Sequence, residues 1–192
     1  MVKRYFSVDG RINKHLFEQV MVQPIFLVGF MGSGKTTWGK KLATALNIPF
    51  VDLDHEIVEH IGMTIPEYFK LHGEGKFRQL ENEFLKKQAG RQAIISTGGG
   101  TPCYFDNMEW IKNNGISLYL YHTPKSLFAR LSKSDVNKRP VLKGLSGDEL
   151  LTFIETKLAE RSDYYEQADI KFEQIHTSLE QIIDLIHQFQ TQ

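Results

Sequence analysis

The run GFMGSGKTT, from Gly29 to Thr37, sets Gly29, Gly34, Lys35 and Thr36 at the spacing G-x-x-x-x-G-K-[ST]. A chance match in a chain of this length is on the order of 1% at average residue usage, so the run reads as a built site. Its chemistry is phosphate binding. Gly32, Ser33 and Gly34 let the backbone wrap so that successive N–H groups face phosphate oxygens. The helix expected to follow, through Thr36 and Thr37, adds its positive N-terminal end. Lys35 is placed to reach the β- and γ-phosphates of ATP, and the Thr36 hydroxyl to ligate Mg²⁺. A kinase, a GTPase-like switch and an ATP-driven machine all use such a cradle, so the group that receives the phosphate must be sought elsewhere.

The usual magnesium partner is an aspartate that ends a neighbouring apolar strand. AIIS, residues 93–96, runs into Ser96-Thr97 and offers none, whereas PFVD ends in Asp52. Asp52 is therefore the candidate metal carboxylate, with a helix cap as the plainer alternative. Two residues on, Asp54 would project from the same face if the segment is extended. That makes Asp54 the candidate to orient an acceptor hydroxyl or take its proton. Arg78 stands three residues before Glu81 on one helical face, and Arg161 lies in AERSDYYEQAD. Each could be an ordinary surface charge. Together, two planar guanidinium forks suit an acceptor carrying a carboxylate. Gly98, Gly99 and Gly100 follow a strand and offer backbone N–H groups with no side chain in the way. From Ser132 to Leu145 a polar stretch carries Lys133, Lys138, Arg139 and Lys143. It reads as a lid over ATP, with Arg139 brought to the transferring phosphate.

Strands alternating with helices must position these groups. The apolar run Pro24–Phe30 predicts a buried central strand, followed by a helix over Thr36–Leu46. Ile48–Asp54 reads as a second strand with its exit loop. Thr64 and Glu67 have capping-box spacing ahead of helices over Ile65–Leu71 and Glu74–Gln88. Ala93–Ser96 and Ile116–Tyr121 read as strands, with a helix between them capped by Asp106 and Glu109 and stopped at Gly115. Pro124–Leu131 is a helix, Ser146 with Glu149 caps another that runs to about Gln167, DIKFE is a fifth strand, and Thr177 with Glu180 caps the last helix. The expected fold is α/β, a five-stranded parallel sheet flanked by helices on both faces.

Composition narrows the class. The 192 residues hold 23 lysines and arginines against 23 aspartates and glutamates, so no global field favours nucleic acid or an anionic membrane. No run of about 18 apolar residues offers a membrane span. A single cysteine, Cys103, forms no internal disulfide and suits the cytoplasm. The first 20 residues mix charge with scattered apolar residues and read as an arm ahead of one domain over 21–192.

From about Met21 onward the chain resembles the shikimate kinases of the nucleoside-monophosphate-kinase-like P-loop group. The stretches that carry the resemblance are FLVGFMGSGKTT, FVDLD, FRQLE, STGGG, KRPVL and ERSDYYEQAD. It implies ATP-dependent phosphorylation of shikimate to shikimate 3-phosphate, a step towards chorismate and the aromatic amino acids. On that pattern Lys35, Asp54 and Arg139 are catalytic, and Gly32 to Thr37 with Arg139 hold ATP. Asp54, Arg78, Gly98, Gly99, Gly100 and Arg161 hold shikimate, while Thr36 and Asp52 serve Mg²⁺. A cytoplasmic monomer is expected. The arm at residues 1–20 departs from the family pattern, as does Val141 in the lid's R-P-V-L. The stretch between Arg130 and Arg139 is slightly long, and adenine is expected near Gln174–Thr177.

Overall fold

A computed structural model describes residues 23–133, 142 and 144–190. Five strands form one parallel sheet: β1 (Ile25–Val28), β2 (Phe50–Asp52), β3 (Ile94–Ser96), β4 (Ile116–Tyr121) and β5 (Ile170–Glu173). Their order is β2-β3-β1-β4-β5. Among the described residues eight α-helices cover the sheet: α1 (Lys35–Leu46), α2 (Leu53–Ile61), α3 (Ile65–His72), α4 (Glu74–Lys86), α5 (Asn107–Asn114), α6 (Pro124–Leu131), α7 (Gly147–Tyr165) and α8 (Leu179–Gln190).

Strand periodicity builds the two cores. Successive side chains point to opposite faces, so Phe26 and Val28 pack with Met108, Ile111, Leu127 and Ile154 under α5 to α7. Ile25 and Leu27 pack with Trp38, Leu42, Ile182 and Ile186 beneath α1 and α8. β1 is covered on both faces, which is why it reads as an unbroken apolar run. A smaller cluster of Ile57, Phe77 and Phe84 fixes α2 against α4.

This topology places chemistry along one edge. The chain leaves β1, the middle strand, and returns on β2 at the far side of β3, while β4 lies on the opposite side of β1. The carboxyl ends of β1, β2 and β3 thus converge at the crevice where such sheets bind ligands. Thr97, just past β3, donates from both its N and Oγ1 to Leu27 O (3.1 and 2.9 Å), tying the start of the glycine triplet to the strand that carries the phosphate motif.

Several local expectations change. β2 is shorter than Ile48–Asp54, and α2 begins at Leu53, so Asp52 is the N-cap residue (φ −111°, ψ 112°) and Asp54 is already helical. The two carboxylates therefore do not share one face of an extended strand. Asp54 and Glu56 instead sit in the first turn, where the helix dipole favours negative charge. The Thr64–Glu67 capping box is present in both directions. Asp106 makes no cap bond, because Lys86 Nζ takes its carboxylate at 2.8 and 3.1 Å. Ser146 makes none either. The final helix is capped one residue later than Thr177 and Glu180, by Ser178 and Gln181 bonded reciprocally at 2.8 and 3.2 Å.

Candidate active site

The phosphate cradle occupies the turn from β1 into α1. Lys35, at the first position of α1, is 8% exposed. Its ammonium donates back to Gly29 O (2.8 Å) and Phe30 O (3.0 Å), which arches the loop over the helix end. Thr36 Oγ1 donates to Asp52 Oδ2 at 2.9 Å, so the two oxygens expected to serve a metal are neighbours. A hard divalent cation that keeps several waters fits such a sparse oxygen pair. Gly32, Ser33 and Gly34 form the loop that leads into α1, and Thr37 lies exposed as the third residue of the helix.

Across the crevice, Asp54, Arg78, Gly98, Gly99, Gly100 and Arg161 all line one cavity of about 640 Å³. Asp54 is half-buried in the cavity wall. Burial, then the negative charges of Glu81 and Asp52, push its carboxyl up to about 7, while Lys35 and Arg78 pull the other way. Glu81, 2% exposed, accepts from Arg78 Nη1 (2.5 Å) and Thr101 Oγ1 (2.7 Å). The i, i+3 pair is therefore no surface ornament; it fixes a guanidinium at the floor of the cavity. On its other side Arg78 donates from Nε and Nη2 to Glu74 Oε1 (3.1 and 2.6 Å), and it lies 4.4 Å from the Tyr104 ring centroid.

Each glycine of the triplet answers to a different neighbour. A Cβ at Gly98 would sit 2.6 Å from Glu81 Oε1 and 2.7 Å from Asp54 Oδ1. At Gly99 it would press on Met31 N of the cradle (3.1 Å), and at Gly100 on Arg78 Nη1 (2.6 Å). The triplet is thus the seam where both carboxylates, the guanidinium and the phosphate loop approach one backbone. Arg161, from α7, donates from Nη1 to Gly99 O (3.5 Å) and lies 5.6 Å from the Phe30 ring centroid. Tyr165 donates its hydroxyl to the same carbonyl.

Arg139 and much of the lid expected over 132–146, at residues 134–141 and 143, lie outside the described residues, as does the arm at 1–20. Leu142, the end of R-P-V-L, is fully buried in the first core. A second cavity, about 550 Å³, opens beside the cradle and is lined by Gly32, His122, Ser126, Arg130, Lys133 and Ile175. Arg130 bonds both Gly32 O (2.9 Å) and Gln174 Oε1 (3.0 Å), so the segment expected near adenine does reach the cradle. Glu74, Tyr104, His122 and Tyr165 were not legible as site residues. Only Glu74 left a trace, its i, i+4 spacing to Arg78.

Comparison with known proteins decides the family. The shikimate kinase family profile matches residues 31–190. This chain belongs to the shikimate kinase family. A curated shikimate kinase from Bacteroides fragilis is 44% identical over 172 residues, covering 85% of this chain and 96% of its own length. The crystal structure of the Bacteroides thetaiotaomicron shikimate kinase superposes with a TM-score of 0.76 at 41% identity, covering 88% of this chain and 97% of that one. An Acinetobacter baumannii shikimate kinase, solved in complex with shikimate, gives 0.75 at 32% identity, over 88% and 92% of the two chains. Membership makes the chain an ATP-dependent kinase of shikimate, with the P-loop kinase fold foreseen from its strands and helices.

Proposed function

We propose that the two halves of the crevice divide the reaction as their chemistry suggests. The backbone from Gly32 to Thr37 and the Lys35 ammonium hold the β- and γ-phosphates of ATP. Arg78 and Arg161 receive the shikimate carboxylate, and Asp54 with the Gly98–Gly100 backbone receives the ring hydroxyls. The 3-hydroxyl oxygen forms the new bond to the γ-phosphorus as the bond from that phosphorus to the β,γ-bridging oxygen breaks. The hydroxyl proton passes to Asp54 or to the transferred phosphate. A loose transition state asks mainly for alignment and charge neutralisation, and Lys35 and Arg139 are the cations assigned to it. Mg²⁺, held through Thr36 and Asp52, would supply further charge neutralisation on the phosphates. A cytoplasmic monomer is the proposed working form, and the lone cysteine suits that compartment.

One observation carries this reading. The half-buried Asp54 carboxylate shares its cavity with both arginines and feels the charge of Lys35 in the cradle. Purified protein with Mg-ATP should release ADP when shikimate is supplied and stay near baseline with gluconate or a nucleoside monophosphate. Equal ADP release without shikimate would refute the assignment.

The triplet gives a sharper expectation. Gly98→Ala drives a methyl group into the Asp54 and Glu81 carboxylates. The expected result is a KM for shikimate raised at least about tenfold, with KM for ATP within about twofold. Overpacking of this kind costs about 1–3 kcal/mol, so Tm should fall by several degrees. A rise confined to KM for ATP in the coupled assay would show that the triplet serves the other substrate.

A further inference from the structure

His122 stands just past β4 and is 6% exposed. Its Nε2 lies 2.9 Å from Ser33 O, and its Nδ1 lies 3.0 Å from Ser126 Oγ. A carbonyl oxygen only accepts, so Nε2 carries the proton, and Nδ1 is left to accept from the Ser126 hydroxyl. Burial holds the imidazole below its ordinary value, in keeping with a neutral ring.

The peptide it grips needs a grip. Ser33–Gly34 is trans, so its C=O and N–H point in opposite directions. Gly34 has φ +102°, and a peptide that leads into a glycine can turn over at little steric cost. Flipped, the unit would present its carbonyl to the phosphates in place of its N–H. The Ser33 side chain does not hold it, since among the described residues its buried Oγ has no hydrogen-bond partner. The preceding carbonyl, Gly32 O, is held by Arg130.

We propose that His122 is a positioning residue which, by donating from Nε2 to Ser33 O, locks the Ser33–Gly34 peptide with its N–H towards the phosphates of ATP. It rests on the reading of Gly32–Thr37 as the ATP cradle and adds a residue outside the motif. The consequence is selective, because the lock acts on the nucleotide side alone.

The test compares His122→Leu, His122→Gln and His122→Asn. Glutamine extends an N–H donor to about the reach of Nε2, whereas asparagine stops near the level of Nδ1. His122→Leu is expected to raise KM for ATP, and the Kd for ADP by calorimetry, about tenfold, with KM for shikimate within about twofold. His122→Gln should recover to within about threefold of wild type, and His122→Asn should not. If the leucine variant fails to fold, the glutamine–asparagine pair decides alone. An unchanged KM for ATP, an equal rise in both KM values, or asparagine performing as well as glutamine would overturn the lock. Lys35→Met, assayed alongside, separates the readings: unaltered ADP affinity and activity there would sink the cradle itself, whereas a failure confined to His122 sinks only the lock.

Discussion

Asp54→Asn should lower kcat by roughly two to four orders of magnitude, the range expected when a positioned proton acceptor is removed, while ATP affinity stays within about threefold of wild type. The substitution keeps shape and volume, so the cavity wall survives, but the amide can neither take a proton nor match a carboxylate as an acceptor. It also presents N–H donors where the hydroxyl must donate. Stability should move the other way. Asp54 is half-buried beside Glu81 and Asp52, and loss of solvent together with those charges already pushes its carboxyl up to about 7. Removing one negative charge from that cluster relieves repulsion, so Tm should be unchanged or slightly higher. The pairing of lost turnover with preserved fold is the discriminating result. A coupled ADP assay gives kcat, calorimetry gives nucleotide affinity, and a thermal melt gives Tm. A kcat near wild type would make Asp54 a structural carboxylate and shift the hydroxyl to the glycine backbone.

How far the sequence foretold this site depends on the range of the interactions involved. β1, β4 and the helix after Pro124 were legible because burial on both faces and local capping write themselves into neighbouring residues. The cradle was legible for the same reason: a phosphate nest is made by consecutive backbone groups. Asp52 was reached as a candidate by elimination, and its bond to Thr36 joins residues 16 apart. The premise about Asp54 failed on geometry, since extension and a helical first turn differ by the backbone of two residues that no pattern distinguishes. Arg78 and Glu81 showed as an i, i+3 pair, but their burial depends on Thr101 and Tyr104, which arrive from beyond β3. His122 had no local mark at all, because its partner Ser33 lies 89 residues away. The glycine triplet sits between these cases. Its location was visible, whereas the reason for three glycines is visible only once both carboxylates, Arg78 and Met31 surround it.

Lys35 sets the second large expectation. Lys35→Met should reduce kcat/KM by about 10³-fold, the scale seen when a preorganised donor to transition-state charge is lost, with most of the loss in kcat. Its ammonium is buried and bonded to Gly29 O and Phe30 O, so it is already aimed along the loop that would hold the phosphates and needs little reorganisation. Methionine matches the stem and fills the space. The two carbonyls lose a donor, which costs roughly 1–3 kcal/mol where they are left unsatisfied, and the loss of a buried charge offsets part of that cost. Tm should therefore fall by no more than about 4 °C. The lysine also draws down the Asp54 carboxyl, so its removal leaves that group still more reluctant to ionise. This coupling makes the double variant Lys35→Met/Asp54→Asn informative. Groups acting on one transfer lose far less together than the sum of their single effects, so the double variant should be within about tenfold of the worse single one. Full additivity would mean that the cradle and the acceptor carboxylate serve separate steps.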